Sequence, residues 1–376
     1  MDPCLSLLKQ LVEVNSINPS LVPGAPGKAR VAEVIGDYMR RAGLDVQLEE
    51  AAPGRPNAIG VLEGREPGQS LILCGHMDTV GVEGMSDPFV PREQDGRIYG
   101  RGSQDMKGGV AAMVDAARLL AANGLRRGRV IIAAVADEEY ASVGADAFVA
   151  TWRADAAIVT EPTDLQIGTA HKGFAWLDVE TRGRAAHGSR PKDGRDAILR
   201  MGRVLTALES LDRELQARQP HPVMGTGSLH ASIVAGGAEL SSYPDRCTLR
   251  MERRLVTGET GDTAVDEARE ILARARAADP EFEGSAELTF WRSAYEVDRS
   301  HALPRGLEAV AQRTGTHAGT VGMSFWTDAA VLAGAGIPSV PFGPGGAGLH
   351  SVEEYVNAAD VVMCRDVLAH FAAEWC

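Results

Sequence analysis

Cysteine is scarce in this chain and poorly placed for chemistry. Cys4, Cys74, Cys247, Cys364 and Cys376 are odd in number and scattered over 376 residues. No Cys-x-x-Cys pair occurs, which argues against a disulfide framework and against a thiolate zinc site. A reducing cytoplasm is the expected compartment. Long apolar runs are missing too: none approaches the ~20 residues that span a bilayer. The first residues, Met-Asp-Pro-Cys-Leu-Ser-Leu-Leu-Lys-Gln, have neither the basic start nor the apolar stretch of a signal peptide. Positive charge is in deficit, with 38 Lys and Arg against 51 Asp and Glu and a net charge of −13. That balance argues against nucleic acid or an anionic membrane as the main partner. Internal repeats, low-complexity tracts and Ser or Cys nucleophile motifs are also absent.

The remainder is ordinary for a globular protein, with 44% apolar and 24% charged residues. The length suits two domains. Asp2-Pro3 followed by Leu5, Leu7, Leu8, Leu11 and Val12 reads as a capped amphipathic helix. A second helix is expected over 28–42, stopped by Gly43. Short strands follow over 45–49 and 58–62. Next comes the buried run Leu71-Ile72-Leu73-Cys74, which stops at Gly75 and delivers His76 and Asp78. Residues 81–102 read as a long loop rich in Gly, Pro and Asp, of a length that is usually functional. Arg101 to Gly109 then opens a helix running to about residue 123. An apolar strand over 129–136 ends in Asp137-Glu138-Glu139, and another over 156–160 ends in Glu161-Pro162-Thr163. Strands and helices alternate here, so a mostly parallel sheet is expected.

After Gly173 the character changes. Alternating Phe174, Trp176, Leu177 and Val179 suggest a half-buried strand, helices are expected over 194–211 and 265–277, and the pattern is α+β. The first pattern returns near Tyr295. The expected fold class is therefore α/β: a mostly parallel-sheet domain from 1–172 and 294–376, with an inserted α+β domain over 173–293.

The chemistry gathers where strands end, the rim at which open α/β sheets bind ligands. His76, Asp78, Asp105, Glu138, Glu139, Glu161 and His350 would bring two imidazoles and five carboxylates to one edge. An imidazole beside a carboxylate suits either a catalytic dyad or a metal site. The missing nucleophile motif and the further ligand-type residues favour metal. So many acids together would repel one another unless cations balance them. Imidazole and carboxylate suit Zn²⁺, with Co²⁺ or Mn²⁺ as alternatives. Two-metal hydrolases hold their ions ~3.5–4 Å apart.

Six motifs occur in order: Gly-His-Met-Asp-Thr-Val, Gly-Arg-Gly-Ser-Gln-Asp-Met-Lys-Gly-Gly, Ala-Asp-Glu-Glu, Thr-Glu-Pro-Thr, Ala-Ala-His-Gly-Ser and Leu-His-Ser-Val-Glu-Glu-Tyr. In order and spacing they resemble the di-zinc amidohydrolases and metallopeptidases, which include acetylornithine deacetylase, succinyl-diaminopimelate desuccinylase, aminoacylase and glutamate carboxypeptidase. Ala170-His171-Lys172-Gly173 looks most like acetylornithine deacetylase. The resemblance implies a zinc-peptidase-like catalytic domain with an inserted dimerisation or lid domain. It implies His76 and Glu161 on one metal, His350 and Glu139 on the other, and Asp105 bridging both. Asp78 would hold the His76 imidazole and fix its tautomer, and Glu138 would be the general base. His187 would reach the active site of the partner in a homodimer and stabilise the oxyanion. Arg254, in Glu252-Arg253-Arg254, would bind the substrate carboxylate, and Gly345, in the Gly-rich turn at 343–346, would close on the substrate. Where many members carry Asn, this chain has Ser241 and Ser242.

The implied activity is removal of the acyl group from an N-acyl-L-amino acid, with a dipeptidase or carboxypeptidase as the alternative. A non-catalytic metal- or ligand-binding relative is a third reading. Single residues also have plainer explanations. His76 and Asp105 could be a strand-end His and a helix cap, Asp78 a turn cap, His187 a solvated loop residue, Arg254 half of a surface salt bridge. The glycines at 343–346 could simply turn the chain. Trp326 and Asp328 could line the pocket or pack a helix start.

Overall fold

A computed structural model describes residues 2–27 and 29–376. Lys28, the expected start of the second helix, lies outside the described residues; the helix is seen over Ala29–Arg41. The chain forms two compact units. The first takes in the chain up to Thr169, Val297–Val321 and Thr327–Cys376, and the second takes in Ala170–Glu296 and Gly322–Trp326.

The first unit is built on a six-stranded sheet. Its strands lie in the order Asp45–Ala52, Arg55–Glu63, Arg127–Val135, Glu66–His76, Ala156–Val159 and Ser339–Pro341. The last four run parallel, and the first two add on antiparallel. Leu71, Ile72, Leu73, Val130 to Val135 and Ala156 to Ile158 are all fully buried. Such continuous apolar runs are what parallel strands covered on both faces require. His76 pairs with Val135 and Cys74 with Val159. Three adjacent parallel strands therefore stop nearly level, and the residues that follow each of them meet at one edge.

Helices close the sheet. Pro3–Glu13 has Asp2 as its cap, accepting the Cys4 N–H at 2.8 Å, with Pro at the first turn. It buries Leu7, Leu8, Leu11 and Val12 on one side, each worth about 1.5–3 kcal/mol of transfer free energy. Gly108–Asn123 is buried all around its first half and packs against Pro3–Glu13 and Ala358–Trp375. Gly109 lets it approach the sheet: a Cβ there would overlap the Thr160 carbonyl, just before Glu161. Residues 81–102 are not all loop. Arg92–Gln94 and Arg97–Tyr99 form a hairpin around Asp95-Gly96, both at positive φ (52° and 74°). That is the Asp-Gly turn favoured in tight hairpins.

The second unit is a four-stranded antiparallel sheet, ordered Ser228–Gly236, Arg246–Leu255, Gly173–Arg182 and Glu283–Arg292. Gly173–Arg182 alternates strictly between buried and less buried residues. One face, with Ala175, Leu177, Val179, Leu249 and Met251, packs under the helices Ala197–Ala217 and Gly261–Ala278. The first helix begins at the Asp196 cap and runs past residue 211, because nothing breaks it before Arg218-Gln219-Pro220. On the other face Phe174, Trp176 and Phe290 pack with ring centroids 5.3–5.9 Å apart. Ser228–Gly236 is an edge strand, exposed along most of its length, with Ile233 and Val234 open to solvent.

Among the described residues, no helix is long and apolar enough to cross a membrane. Gly109→Ala is expected to force the Gly108–Asn123 helix off the sheet and destabilise the fold by about 1–3 kcal/mol. Urea unfolding checks it, and an unchanged midpoint would contradict the close packing.

Candidate metal centre

Each residue expected at the rim arrives by a distinct local device. His76 is the last residue of its strand, and its own N–H points to Met106 Sδ at 3.2 Å. Asp137 takes a positive φ of 75°, which turns the chain sharply after the neighbouring strand and presents Glu138 and Glu139. Glu161 comes one residue after the third strand, beyond Thr160. Asp105 lies in the tight turn Ser103–Lys107, entered through Gly102 at φ 78°; its own backbone is non-helical (φ −115°, ψ 95°) and its peptide bond to Met106 is cis. His350, also at positive φ (58°), comes from the loop after the Gly-rich turn.

Together these side chains make two groups that share one residue. His76, Asp105 and Glu161 place ligand atoms within 4.8 Å of one another, and so do Asp105, Glu139 and His350. His76 Nε2 is 3.0 Å from Asp105 Oδ1. His350 Nε2 is 3.3 Å from Asp105 Oδ2 and 3.1 Å from Glu139 Oε2. Asp105 thus turns one oxygen to each imidazole. Glu138 belongs to neither group; its Oε2 is 4.0 Å from His76 Nε2.

In the cluster's electrostatics, burial and mutual repulsion of the acids outweigh the pull of the two imidazoles at all but one carboxyl. Burial pushes the Glu138 carboxyl well above the ordinary range, and the charges of Glu161, Asp328 and Glu139 add to this against the pull of His76. Glu161 is raised in the same way, by burial and then by Asp105 and Asp328, again against His76. Burial and Asp105 push Glu139 up to about 7. Burial works to lower the His76 imidazole, but Asp105, Glu138 and Glu161 hold it well above its usual value. His350 is raised to about 10 by hydrogen bonds to Asp105 and Glu139. Asp105 is pressed upward by burial, yet the two imidazoles bring it below the usual carboxylate range. Glu139 Oε1 and Glu161 Oε1 are buried and accept no hydrogen bond. Orphaned carboxylate oxygens, borderline nitrogen donors and a shared aspartate fit a pair of divalent cations.

The family model described as Peptidase family M20/M25/M40 matches residues 72–374. The chain belongs to this family. It is a hydrolase acting on amide bonds, which sets the non-catalytic reading aside. An acetylornithine deacetylase of Myxococcus xanthus is 32% identical, over 88% of this chain and 86% of that one. N-formyl-4-amino-5-aminomethyl-2-methylpyrimidine deformylase of Bacillus subtilis is 28% identical, over 94% and 91%. The same fold is seen in the solved structure of Bacillus subtilis YXEP, a dinuclear metal-binding peptidase of the M20 family. It has a TM-score of 0.76 at 15% identity and covers 99% of this chain and 97% of that one.

The remaining expected residues are placed as follows in this M20-family structure. The Asp78 carboxylate lies 3.8 Å from His76 Nδ1, at ion-pair distance but beyond a hydrogen bond. The Asp78 backbone carbonyl makes that hydrogen bond, accepting the Nδ1–H at 3.0 Å. That fixes the tautomer and leaves Nε2 free to ligate. The carboxylate instead accepts the N–H groups of Asp137 (2.8 Å), Glu138 (3.3 Å) and Glu139 (3.3 Å), so it shapes the acidic turn. Gly345 is buried, and a Cβ there would crowd Asp164 and Asp360, so packing accounts for this glycine. His187 and Arg254 belong to the second unit. His187 is exposed, with Nδ1 2.8 Å from Ser189 Oγ. Arg254 already pairs with Glu252 at 2.6 Å and lies over the Phe174 ring. Trp326 joins the second unit, whereas Asp328 is buried in the first.

Asn18 and Arg55 were not anticipated from the sequence. Asn18 Nδ2 donates to Asp78 Oδ2 at 2.9 Å and to Asp137 Oδ1 at 3.0 Å, and Arg55 Nη1 reaches the same Asp137 oxygen at 2.5 Å. They lock the turn that presents Glu138 and Glu139. The only signal was that Asp137 opens a triplet of acids.

A pH dependence follows. His350 and, near neutrality, part of Glu139 hold protons that a cation must displace, so affinity should rise with pH and each binding event should release protons. Titration calorimetry in buffers of different protonation enthalpy measures this. Zero net release between pH 6 and pH 8 would contradict it.

Proposed function

We propose that this enzyme removes the acyl group from an N-acyl-L-amino acid, with acetylornithine-like substrates foremost and Glu138 as the general base. The observation that carries the proposal is the position of Glu138: beside both candidate cation groups, a member of neither, and held above the usual carboxylate range by burial and its acidic neighbours. A raised pKa suits a group that must take up a proton and give it back near neutral pH.

The cations, Zn²⁺ with Co²⁺ or Mn²⁺ able to substitute, would supply Lewis acidity that polarises the amide carbonyl and acidifies a water. His76, Asp105 and Glu161 would hold one of them, and Asp105, Glu139 and His350 the other. Glu138 removes a proton from the attacking water as its oxygen bonds to the carbonyl carbon. It delivers that proton to the departing nitrogen when the C–N bond breaks, and the second water proton leaves the acyl oxygen for the amine, giving a carboxylate and an ammonium. His187 stabilises the oxyanion, acting from the partner subunit of a homodimer formed through the inserted domain; the exposed edge strand Ser228–Gly236 supports such a contact. Arg254 receives the substrate carboxylate in a two-pronged hydrogen bond and must share its Glu252 pairing to do so.

The deacetylase and deformylase relatives support a small acyl group. A metallo-dipeptidase or carboxypeptidase is the second reading, favoured by the peptidase whose fold this chain shares. Comparing kcat/KM for N-acetyl, N-formyl and N-succinyl amino acids and for dipeptides decides between them. The N-acetyl amino acids are expected to lead, and a preference for dipeptides would overturn the first reading. Glu138→Ala should keep both cations and lose about 10²–10⁴-fold in kcat. Activity in the wild type should vanish with chelation and return with Zn²⁺ or Co²⁺. Activity that survives complete metal removal would refute the mechanism.

A further inference from the structure

A buried ion pair lies outside both cation groups yet grips the segments that carry them. Glu354, 1% exposed, comes shortly after His350 in the chain. Its Oε2 accepts the Gly102 N–H at 2.8 Å, and its Oε1 accepts the N–H groups of Gln104 at 2.9 Å and Asp105 at 3.0 Å. Arg101, 3% exposed, donates Nη1 to the same Oε2 at 2.7 Å. The rest of its guanidinium reaches the Ser351 carbonyl through Nη2 and the Gly81 carbonyl through Nε, both at 3.0 Å. The backbone joins in, with the Gly100 N–H donating to the Glu354 carbonyl at 3.2 Å.

Two consequences follow. A carboxylate that takes three backbone N–H groups of one turn fixes the peptide planes from which the Asp105 side chain projects. On the other side, His350 is half exposed and sits in the left-handed region, so its own packing does little to hold it. Its loop is anchored just beyond it, by the Ser351 carbonyl on Arg101 and by Glu354. One planar five-donor cation and one carboxylate therefore tie two segments that are remote in sequence.

We propose that the Arg101–Glu354 pair is the positioning element that holds Asp105 and His350 at cation-binding separation. This rests on reading Asp105 and His350 as ligands. Partners behind metal ligands commonly set affinity by about 10–100-fold.

Calorimetric titration of the metal-free full chain with Co²⁺ tests it, alongside the Co²⁺ visible spectrum and the circular dichroism of each variant. The wild type should take up two Co²⁺ per chain; fewer would defeat the reading of the ligands themselves. Glu354→Gln keeps the shape and one acceptor, but it cannot serve three N–H groups and Arg101 together. Its Co²⁺ affinity should fall about 10–100-fold with an altered visible band, while its far-ultraviolet spectrum stays that of the wild type. Wild-type Co²⁺ affinity in folded Glu354→Gln, whatever its melting temperature, would overturn the proposal, since a merely structural pair would move only the melting temperature. If Glu354→Gln does not fold, Arg101→Lys decides. It keeps the buried charge balanced but cannot reach the carboxylate and both carbonyls, so the same loss is expected, and wild-type affinity there would overturn the proposal.

Discussion

Like charges crowded out of water have to be balanced, and that constraint governs this molecule. Asp105, Glu138, Glu139 and Glu161 converge on two imidazoles at the end of a parallel sheet. Burial is the largest cause that drives three of these carboxyls upward, and nearby acids add to it: Glu161, Asp328 and Glu139 at Glu138, Asp105 at Glu139, and Asp105, Asp328 and Glu139 at Glu161. Only Asp105 is lowered, because it alone is hydrogen-bonded to both histidines. A structure that assembles such a cluster stores an unfavourable field that divalent cations relieve. The same field holds Glu138 above the usual carboxylate range, which is what the proposed proton transfer between water and amine requires.

The scaffold meets the constraint by spending backbone groups rather than side chains. The Asp78 carbonyl sets the tautomer of His76, while its carboxylate collects the N–H groups of the acidic turn. Glu354 does the same for the turn of Asp105. Anionic side chains accepting runs of N–H groups recur on both sides of the centre. They hold ligand-bearing loops without adding bulk where substrate and cations must fit. Gly109 contributes from below, allowing the Gly108–Asn123 helix to press against the strand that leads to Glu161.

Much of this was legible in the chain itself. Apolar strands that stop in His or acidic residues, repeated along the sequence, point to one sheet edge, and six ordered motifs named the family that the family model then matched over residues 72–374. The alternation in 173–182 showed a half-buried strand for the same reason: its period is that of a strand. Other features could not be read. Whether Asp78 acts through its carboxylate or its carbonyl depends on a bend of a few residues, which composition does not encode. Asn18 and Arg55 act across long stretches of chain, and nothing local distinguishes them from surface polar residues; Glu354 stands in Leu-His-Ser-Val-Glu-Glu-Tyr, but the motif does not reveal that it grips the Asp105 turn. The Asp95-Gly96 hairpin was legible in principle, but its strands are only three residues each and carry no clear alternation. At Gly345 the motif suggests a substrate contact, and the close approach of Asp164 and Asp360 to this glycine could not be read from it.

The central claim is that two cations sit on either side of Asp105. X-ray diffraction from crystals of the Zn²⁺-loaded protein, recorded at the zinc absorption edge, tests it most directly. The account predicts two anomalous peaks, ~3.5–4 Å apart, one between His76 and Glu161 and the other between Glu139 and His350, with an oxygen of Asp105 facing each. A single peak, or peaks away from Asp105, would contradict it.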